Sequence, residues 1–361
     1  MTTFFEITAE QLTRKNRLVE IGKMINWEKM RYRFKKMNKI VPSTETESEK
    51  NTRFGQKPYD VMSMVRAMVI QQWHSLSDPG LEEALHDRMS FLLFCGFNPD
   101  EGIPDETTFC RFRNKLAELK LDKVLLRLIN EQLENMGLKV SEVKGAVVDA
   151  TIIESCCRPR RVIEIEQDRE EEEPTEPSES DGDEKQAVAL EESKDEDAKW
   201  LKKGNKSYFG YKAFTRTDVG DGFIDQVHVE SANVSEMKHL TDVLGDLPEG
   251  TRVFADKGYG FKENRDSLKE RKLRDALMRK AVRGKPLTHW EKVRNKIISA
   301  DRYIVEQSYG TLKRIFDANR SSYRGKRKTE NQLVLKSICL NLLKGFNKAA
   351  RMNELCTMEA A

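Results

Sequence analysis

Three carboxylates stand where phosphoryl chemistry could use them: Asp149 in GAVVDAT, Asp256 in VFADKGYG and Glu306 in RYIVEQSYGTLKR. Each aspartate follows a short apolar run that reads as a buried strand, and the DKGYG turn after Asp256 leaves that carboxylate accessible. Glu306 lies in a basic stretch with helical patterning. Residues four and seven apart return to one helix face, so Arg302, Glu306 and Lys313 present cation, carboxylate and cation together. Cleaving a phosphodiester requires an in-line nucleophile, a stabilised leaving oxygen and neutralisation of the phosphate. A pair of metal ions about 3.5–4 Å apart, held by a few carboxylates, meets all three needs. Asp149 could bridge both ions, Asp256 hold one and Glu306 complete the other, with Arg302 and Lys313 facing phosphates. Hard oxygen donors favour Mg²⁺, with Mn²⁺ as substitute. Taken singly, a strand-end aspartate is more often a turn former or cap, and Glu306 beside Arg302 an ordinary i,i+4 ion pair. Their joint occurrence is what points to a site.

The elements that must position these groups fall into two regions. Before residue 140 the pattern is helical. KPYDVMSMVRAMVIQQW (57–73) carries apolar residues at helical spacing, and SDPGLEEALHDRMSFLLFCGF opens with Asp78 as a candidate N-cap and Pro79 at the first helical position. In GIPDETTFCRFRNKLAEL, Asp105 or Thr107 can cap; Phe109, Phe112 and Leu116 face inward, leaving Arg111, Arg113 and Lys115 mostly outward. A short turn feeding such a helix is how helix-turn-helix readers approach a DNA groove, and an amphipathic helix with a solvated basic face is the plainer alternative. LDKVLLRLINEQLENMG ends at Gly137, suited to a helix C-terminus.

From Lys144 the period changes. KGAVVDATIIE reads as a strand that can run on past Asp149, GFIDQVHVESAN as another, VSEMKHLTDVLGDL as a helix capped by Ser235, and NQLVLKSICLNLLKGFN (331–347) as a closing helix. Strands alternating with helices predict a mixed α/β core. Tyr303, Val305, Leu312 and Phe316 are the expected apolar anchors of the Glu306 helix. His228 and His239 lie near core elements, but their separation of 11 does not suggest a metal site, and they read as structural.

Composition sorts the remaining possibilities. The 361-residue chain has room for two domains. Its net charge of +3 hides a strong asymmetry: Glu164 to Asp197 holds seventeen acidic residues against three basic ones, leaving +17 on the remainder. A basic body of this kind suits nucleic acid. The acidic stretch (162–197) is too polar to bury a core and is expected to be disordered. No apolar run approaches the ~18 residues of a membrane span, and the first residues do not read as a signal peptide. Six scattered cysteines without a CxxC pair fit reduced thiols in a cytoplasmic protein.

With the three carboxylates in place, the sequence resembles the DDE-type transposases of bacterial insertion sequences. PDETTFCRFRNKL (104–116) is similar to that family's N-terminal helical block, VVDAT and ADKGY to its two aspartate blocks, and Phe209 to Lys212 to its FGYK motif. The family pattern around the third carboxylate is Tyr, two residues, Arg, three residues, Glu, six residues, Lys. Arg302, Glu306 and Lys313 fit it, while Ser299 stands in the tyrosine position. The resemblance covers roughly residues 55–345. It implies a ribonuclease H-like sheet flanked by helices (141–350) and an N-terminal helical DNA-binding and dimerisation domain (1–140); the acidic stretch, lying between the first two aspartates, is expected to form a loop within the catalytic domain directed away from DNA. It further implies Asp149, Asp256 and Glu306 as catalytic metal ligands, Mg²⁺ or Mn²⁺ as cofactor, and double-stranded DNA contacts from Arg302, Lys313, Lys212, Lys257, Arg111, Arg113 and Lys115. Terminal inverted repeats and target DNA would be its partners, bound by a homodimer in the cytoplasm at the bacterial nucleoid. A DNA-binding protein without catalysis, kept open by Ser299, and a metal-dependent nuclease without strand transfer are the alternatives.

Overall fold

A computed structural model describes residues 16–39, 58–99, 102–140, 145–159, 161–164, 187–190 and 193–359. Its centre is a mixed sheet. Strand β1 (Gly145–Glu154) is buried on both faces over its first four residues, as expected of an unbroken apolar run. The strand does run on past Asp149. A two-stranded pair, β2 (Arg161–Glu164) with β3 (Ala187–Leu190), stands apart, followed by β4 (Lys199–Lys203), β5 (Lys206–Asp218) and β6 (Ile224–Ser231). Next come helix Leu240–Leu244, strand β7 (Arg252–Ala255), helix Lys262–Glu270 and strand β8 (Arg274–Leu277). The order is β4–β5–β1–β7–β8, with β6 pairing the second half of β5. Strands β1, β7 and β8 run parallel; β5 is antiparallel to β1.

The register decides where the carboxylates go. The last β1–β7 pair is Val148 with Ala255, so Asp149, inside β1, and Asp256, the residue after β7, stand at the same level on two adjacent parallel strands. The FGYK stretch lies where β5 passes from β4 to β6. A Cβ on Gly210 would sit 2.2 Å from the Ile153 carbonyl oxygen, so the close approach of β5 to β1 there admits only glycine.

Among the described residues six helices precede the sheet: α1 (Arg17–Met24), α2 (Val61–Trp73), α3 (Asp78–Asp87), α4 (Met89–Cys95), α5 (Glu106–Glu118) and α6 (Leu121–Asn135), with a 3₁₀ segment at Glu28–Lys39. In the sheet region the helices Leu240–Leu244 and Lys262–Glu270 are α7 and α8. Two long helices close the chain, α9 (His289–Ile315) and α10 (Lys326–Glu359), the second exceeding the expected 331–347. Buried residues Leu333, Val334, Ile338 and Leu342 of α10 join the helical segment and the sheet in one continuous core. No described helix is long and apolar enough to cross a membrane.

Local details correct several sequence expectations. Ser77, not Asp78, caps α3, accepting from the Gly80 amide at 3.1 Å; Asp78 is its first helical residue. At α5 the cap is Asp105, whose carboxylate accepts from the Thr108 amide at 2.7 Å. Gly137 follows α6 with φ +70°, as its placement after the apolar pattern suggests. The VSEMKHLTDVLGDL stretch is not one helix but a 3₁₀ turn (Glu236–His239) leading into the five-residue α7, and the Ser235 side chain makes no cap bond. Most of the acidic insert lies outside the described residues. Of its described parts, β2 and β3 pair, and Asp195 is buried, accepting from the Tyr211 hydroxyl at 2.6 Å and from Ser155 at 2.5 Å.

Candidate active site

Asp149 and Asp256 converge on one cation. The Arg302 guanidinium lies 3.1 Å from an Asp149 oxygen and 3.4 Å from an Asp256 oxygen. Burial pushes the Asp149 carboxyl above its ordinary range, with Arg302 opposing that shift. The Asp256 side chain is more open, 44% exposed against 17% for Asp149. One enclosed and one open carboxylate around a shared positive charge is an arrangement that attracts cations.

Helix α9 supplies that charge and is fixed in place by a second residue. The buried Tyr309 hydroxyl donates to the Asp149 backbone oxygen at 2.8 Å and lies 2.7 Å from the Thr215 hydroxyl. Thr215 is the β5 residue paired with Asp149 across the sheet. Arg302 and Tyr309 are seven residues apart, two turns of helix, and both touch Asp149. Glu306 lies between them on that face, about 6 Å along the axis from Arg302. It is exposed, and among the described residues its carboxylate has neither a hydrogen bond nor an ion pair. The acidic groups here are all hard oxygen donors, a set that fits Mg²⁺ or Mn²⁺. A Thr288/Glu291 capping box starts α9. Val305, Leu312 and Phe316 are buried as expected, whereas Tyr303 is 66% exposed and anchors nothing.

Two further residues belong to this neighbourhood, one of them missed in the sequence. Glu236, at the start of the 3₁₀ turn, is a fourth carboxylate: its charge helps raise the Asp149 carboxyl, and a Cβ on Gly258 would come within 3.0 Å of its Oε2. The only hint in the sequence is the glycine of DKGYG, which leaves room for it. Lys212, from the FGYK stretch, is buried. Its ammonium donates to the Val234 carbonyl at 2.9 Å and lies 3.5 Å from Glu236, so it braces the site rather than standing free on the surface.

The other expected DNA contacts divide. Lys257 is exposed beside Asp256, and Lys313 is half-buried with its ammonium pushed below the usual lysine range by burial. Arg111 is exposed; Lys115 pairs with Glu118 at 3.0 Å. The expectation for Arg113 is corrected: it turns inward, 5% exposed, ion-paired with Asp78 and stacked on the Tyr323 ring 4.2 Å away. An arginine on an apolar helix face was drawn in because an acidic partner from α3 meets it there. Lys269, Arg274, Arg279, Lys280, Arg283 and Lys285, in the basic segment before α9, are also exposed.

Comparison with known proteins bears on the same residues. Residues 144–342 match the family described as "Transposase DDE domain", and residues 6–115 a second family described as "Transposase domain". The transposase for insertion sequence element IS1106 from Neisseria meningitidis serogroup B is 45% identical over 241 residues, which cover 66% of this chain and 78% of that protein. No solved structure matches. The matched DDE segment contains β1, β7 and α9 with their three carboxylates, and on this agreement the chain belongs to the DDE-type insertion-sequence transposases.

Proposed function

We propose that the protein binds the terminal inverted repeats of an insertion sequence, cleaves the phosphodiester at the element's end and joins the freed 3′ end to target DNA, working as a homodimer on two ends. The observation that carries this reading is the convergence of Asp149 and Asp256 on Arg302, with Glu306 one turn further along the same helix. In this reading the sheet is of the ribonuclease H kind, the helical segment 1–140 contributes DNA binding and dimerisation, and Asp149, Asp256 and Glu306 hold two Mg²⁺ or Mn²⁺ ions. When bound, such ions neutralise the phosphate and stabilise the attacking and leaving oxygens.

The chain's own residues supply the rest. Arg302 releases part of its hold on the aspartates and offers its guanidinium to a phosphate oxygen, for which its planar donors are suited. Lys313 and Lys257 extend the positive surface along the strand. Tyr309 keeps β1, β5 and α9 in fixed relation, holding Glu306 at the level of Asp149. The exposed basic residues of 269–285 and Arg111 track the backbone without reading sequence.

The test uses a labelled duplex carrying the inverted repeat of the source element, with Mg²⁺ or Mn²⁺, alongside a pre-cut substrate with a free 3′ end. Metal-dependent nicking at the repeat boundary and joining of the pre-cut end are expected, both lost in Glu306→Ala. Nicking without joining would reduce the protein to a nuclease. Tight binding without either reaction would overturn the catalytic reading and direct attention to Ser299.

A further inference from the structure

His228 and His239, eleven residues apart and read from the sequence as structural, meet in space with ring centroids 5.5 Å apart. His228 projects from β6 and His239 ends the 3₁₀ turn; both rings pack against Phe214, at 6.2 and 5.1 Å, which pairs with His228 across the sheet. Asp242, in the first turn of α7, completes the group. One ligating atom from each of His228, His239 and Asp242 lies within 4.8 Å of the other two.

The hydrogen-bonding demands here call for a cation. His228 Nδ1 lies 3.3 Å from Glu330 Oε1, so its N–H is directed to that carboxylate. That leaves the Nε2 lone pair facing Glu230 Oε1 at 3.3 Å and Asp242 Oδ2 at 3.7 Å, both of them acceptors. Nδ1 of His239 faces the same Asp242 oxygen at 2.8 Å. Lysines balance the outer carboxylates: Lys123 reaches Glu330 and Lys326 reaches Glu230, each at 2.9 Å. Among the described residues, the Asp242 carboxylate meets only the two imidazoles. Tetrahedral coordination with bonds near 2.0–2.1 Å places ligand atoms about 3.3–3.5 Å apart; the 3.3 and 3.7 Å spacings of His228 Nε2 bracket that value, while His239 and Asp242, hydrogen-bonded at 2.8 Å, would move apart to admit the ion. An imidazole whose other nitrogen is held by a carboxylate is also how metal-binding histidines are oriented.

We propose that His228, His239 and Asp242, with Glu230 beside them, bind one transition-metal dication of the Zn²⁺ class at a site separate from Asp149, Asp256 and Glu306. Nitrogen donors distinguish it from the all-oxygen centre, which suits Mg²⁺. Binding ties the 3₁₀ turn and α7 to β6. Because Glu236 opens that turn, the metal steadies the fourth carboxylate of the neighbouring centre without touching DNA.

The test is a titration of the full chain, carrying Asp149→Asn and Asp256→Asn to weaken the oxygen site, with Co²⁺ followed by visible absorption and with Zn²⁺ followed by melting temperature. One equivalent bound, tetrahedral Co²⁺ bands displaced by Zn²⁺, and a Tm rise of roughly 5 °C at a hundredfold excess over Kd are expected. Mg²⁺ should give none of these, and both the bands and the rise should vanish in His239→Gln and Asp242→Asn. These variants need a metal-free Tm close to the parent; should one unfold, His228→Gln takes its place. The proposal is overturned by unchanged Zn²⁺ response in the variants, which would mark adventitious binding. It is equally overturned by a Tm indifferent to Zn²⁺ that rises on lowering the pH from 7.5 to 5.5, which would give the place between these groups to a proton. DNA cleavage is not read, so either outcome is independent of the transposition assay.

Discussion

Asp149, within β1, and Asp256, just past β7, follow directly on the paired residues Val148 and Ala255 of neighbouring parallel strands, and both reach the same guanidinium. Strand register, rather than loop conformation, therefore sets their separation. A rigid pair of interior strands is a better platform for paired carboxylates than two mobile loops, because geometry costs little further ordering when the substrate binds.

Arg302 should stabilise the metal-free protein through this pairing. In Arg302→Ala the buried Asp149 carboxylate keeps its burial and loses its cation, so unfolding in EDTA should cost about 1–3 kcal/mol less than for the parent. Adding Mg²⁺ should narrow the gap, because bound cations replace the missing charge. Urea titrations with and without Mg²⁺ measure both effects. A gap that is absent in EDTA, or indifferent to Mg²⁺, would count against shared use of the position between the aspartates.

Tyr309→Phe removes the hydroxyl that joins the Asp149 backbone oxygen to Thr215. The Asp149 carbonyl and Thr215 hydroxyl are left short of a partner in a buried setting, at a cost of about 1–3 kcal/mol. Cleavage should fall while affinity for DNA stays within twofold, because the substitution shifts Glu306 relative to Asp149 and touches no exposed cation. Equal loss of binding and cleavage would place Tyr309 in overall folding alone.

The carboxylates were legible because each lies in a short pattern that announces its own element: an apolar run before each aspartate, and a four-and-seven spacing around Glu306. The helical half was legible for the same reason, down to Gly137 after α6. What escaped depends on partners distant in the chain. Arg113 turns inward because Asp78 from another helix meets it, Lys212 because the 236–239 turn folds over β5, and Glu236 because that turn packs against Gly258. The spacing of eleven gives no sign of the histidine pair, yet a strand followed by a turn brings the two rings together. Spacing constrains geometry only within one regular element.

Lys336 gives a pH prediction outside the site. It is 2% exposed, its ammonium donates to the Asp317 carbonyl at 2.7 Å, and burial lowers its pKa to about 8 from 10.5. Between those values the unfolded chain holds the extra proton, so the contribution of Lys336 to stability rises with pH. Lys336→Met removes this dependence, and its stability relative to the parent should fall by about 2 kcal/mol between pH 7 and 9.5. Lys344, also lowered to about 8, remains in both proteins and cancels. Urea midpoints at the two pH values decide it; a difference that is constant with pH would mean the buried lysine keeps the pKa it has in the unfolded chain.

The central claim is that Asp149, Asp256 and Glu306 form one catalytic centre, and the direct measurement is metal-dependent strand cleavage alongside DNA affinity for Asp149→Ala, Asp256→Asn, Glu306→Gln and the triple variant. Groups that act as a unit lose activity together, so each single substitution should reduce cleavage by a factor on the order of 10³ or more, the triple variant should be little worse, and DNA affinity should survive in all four. Cleavage retained in any two of the single variants, with their DNA binding intact, would contradict the account.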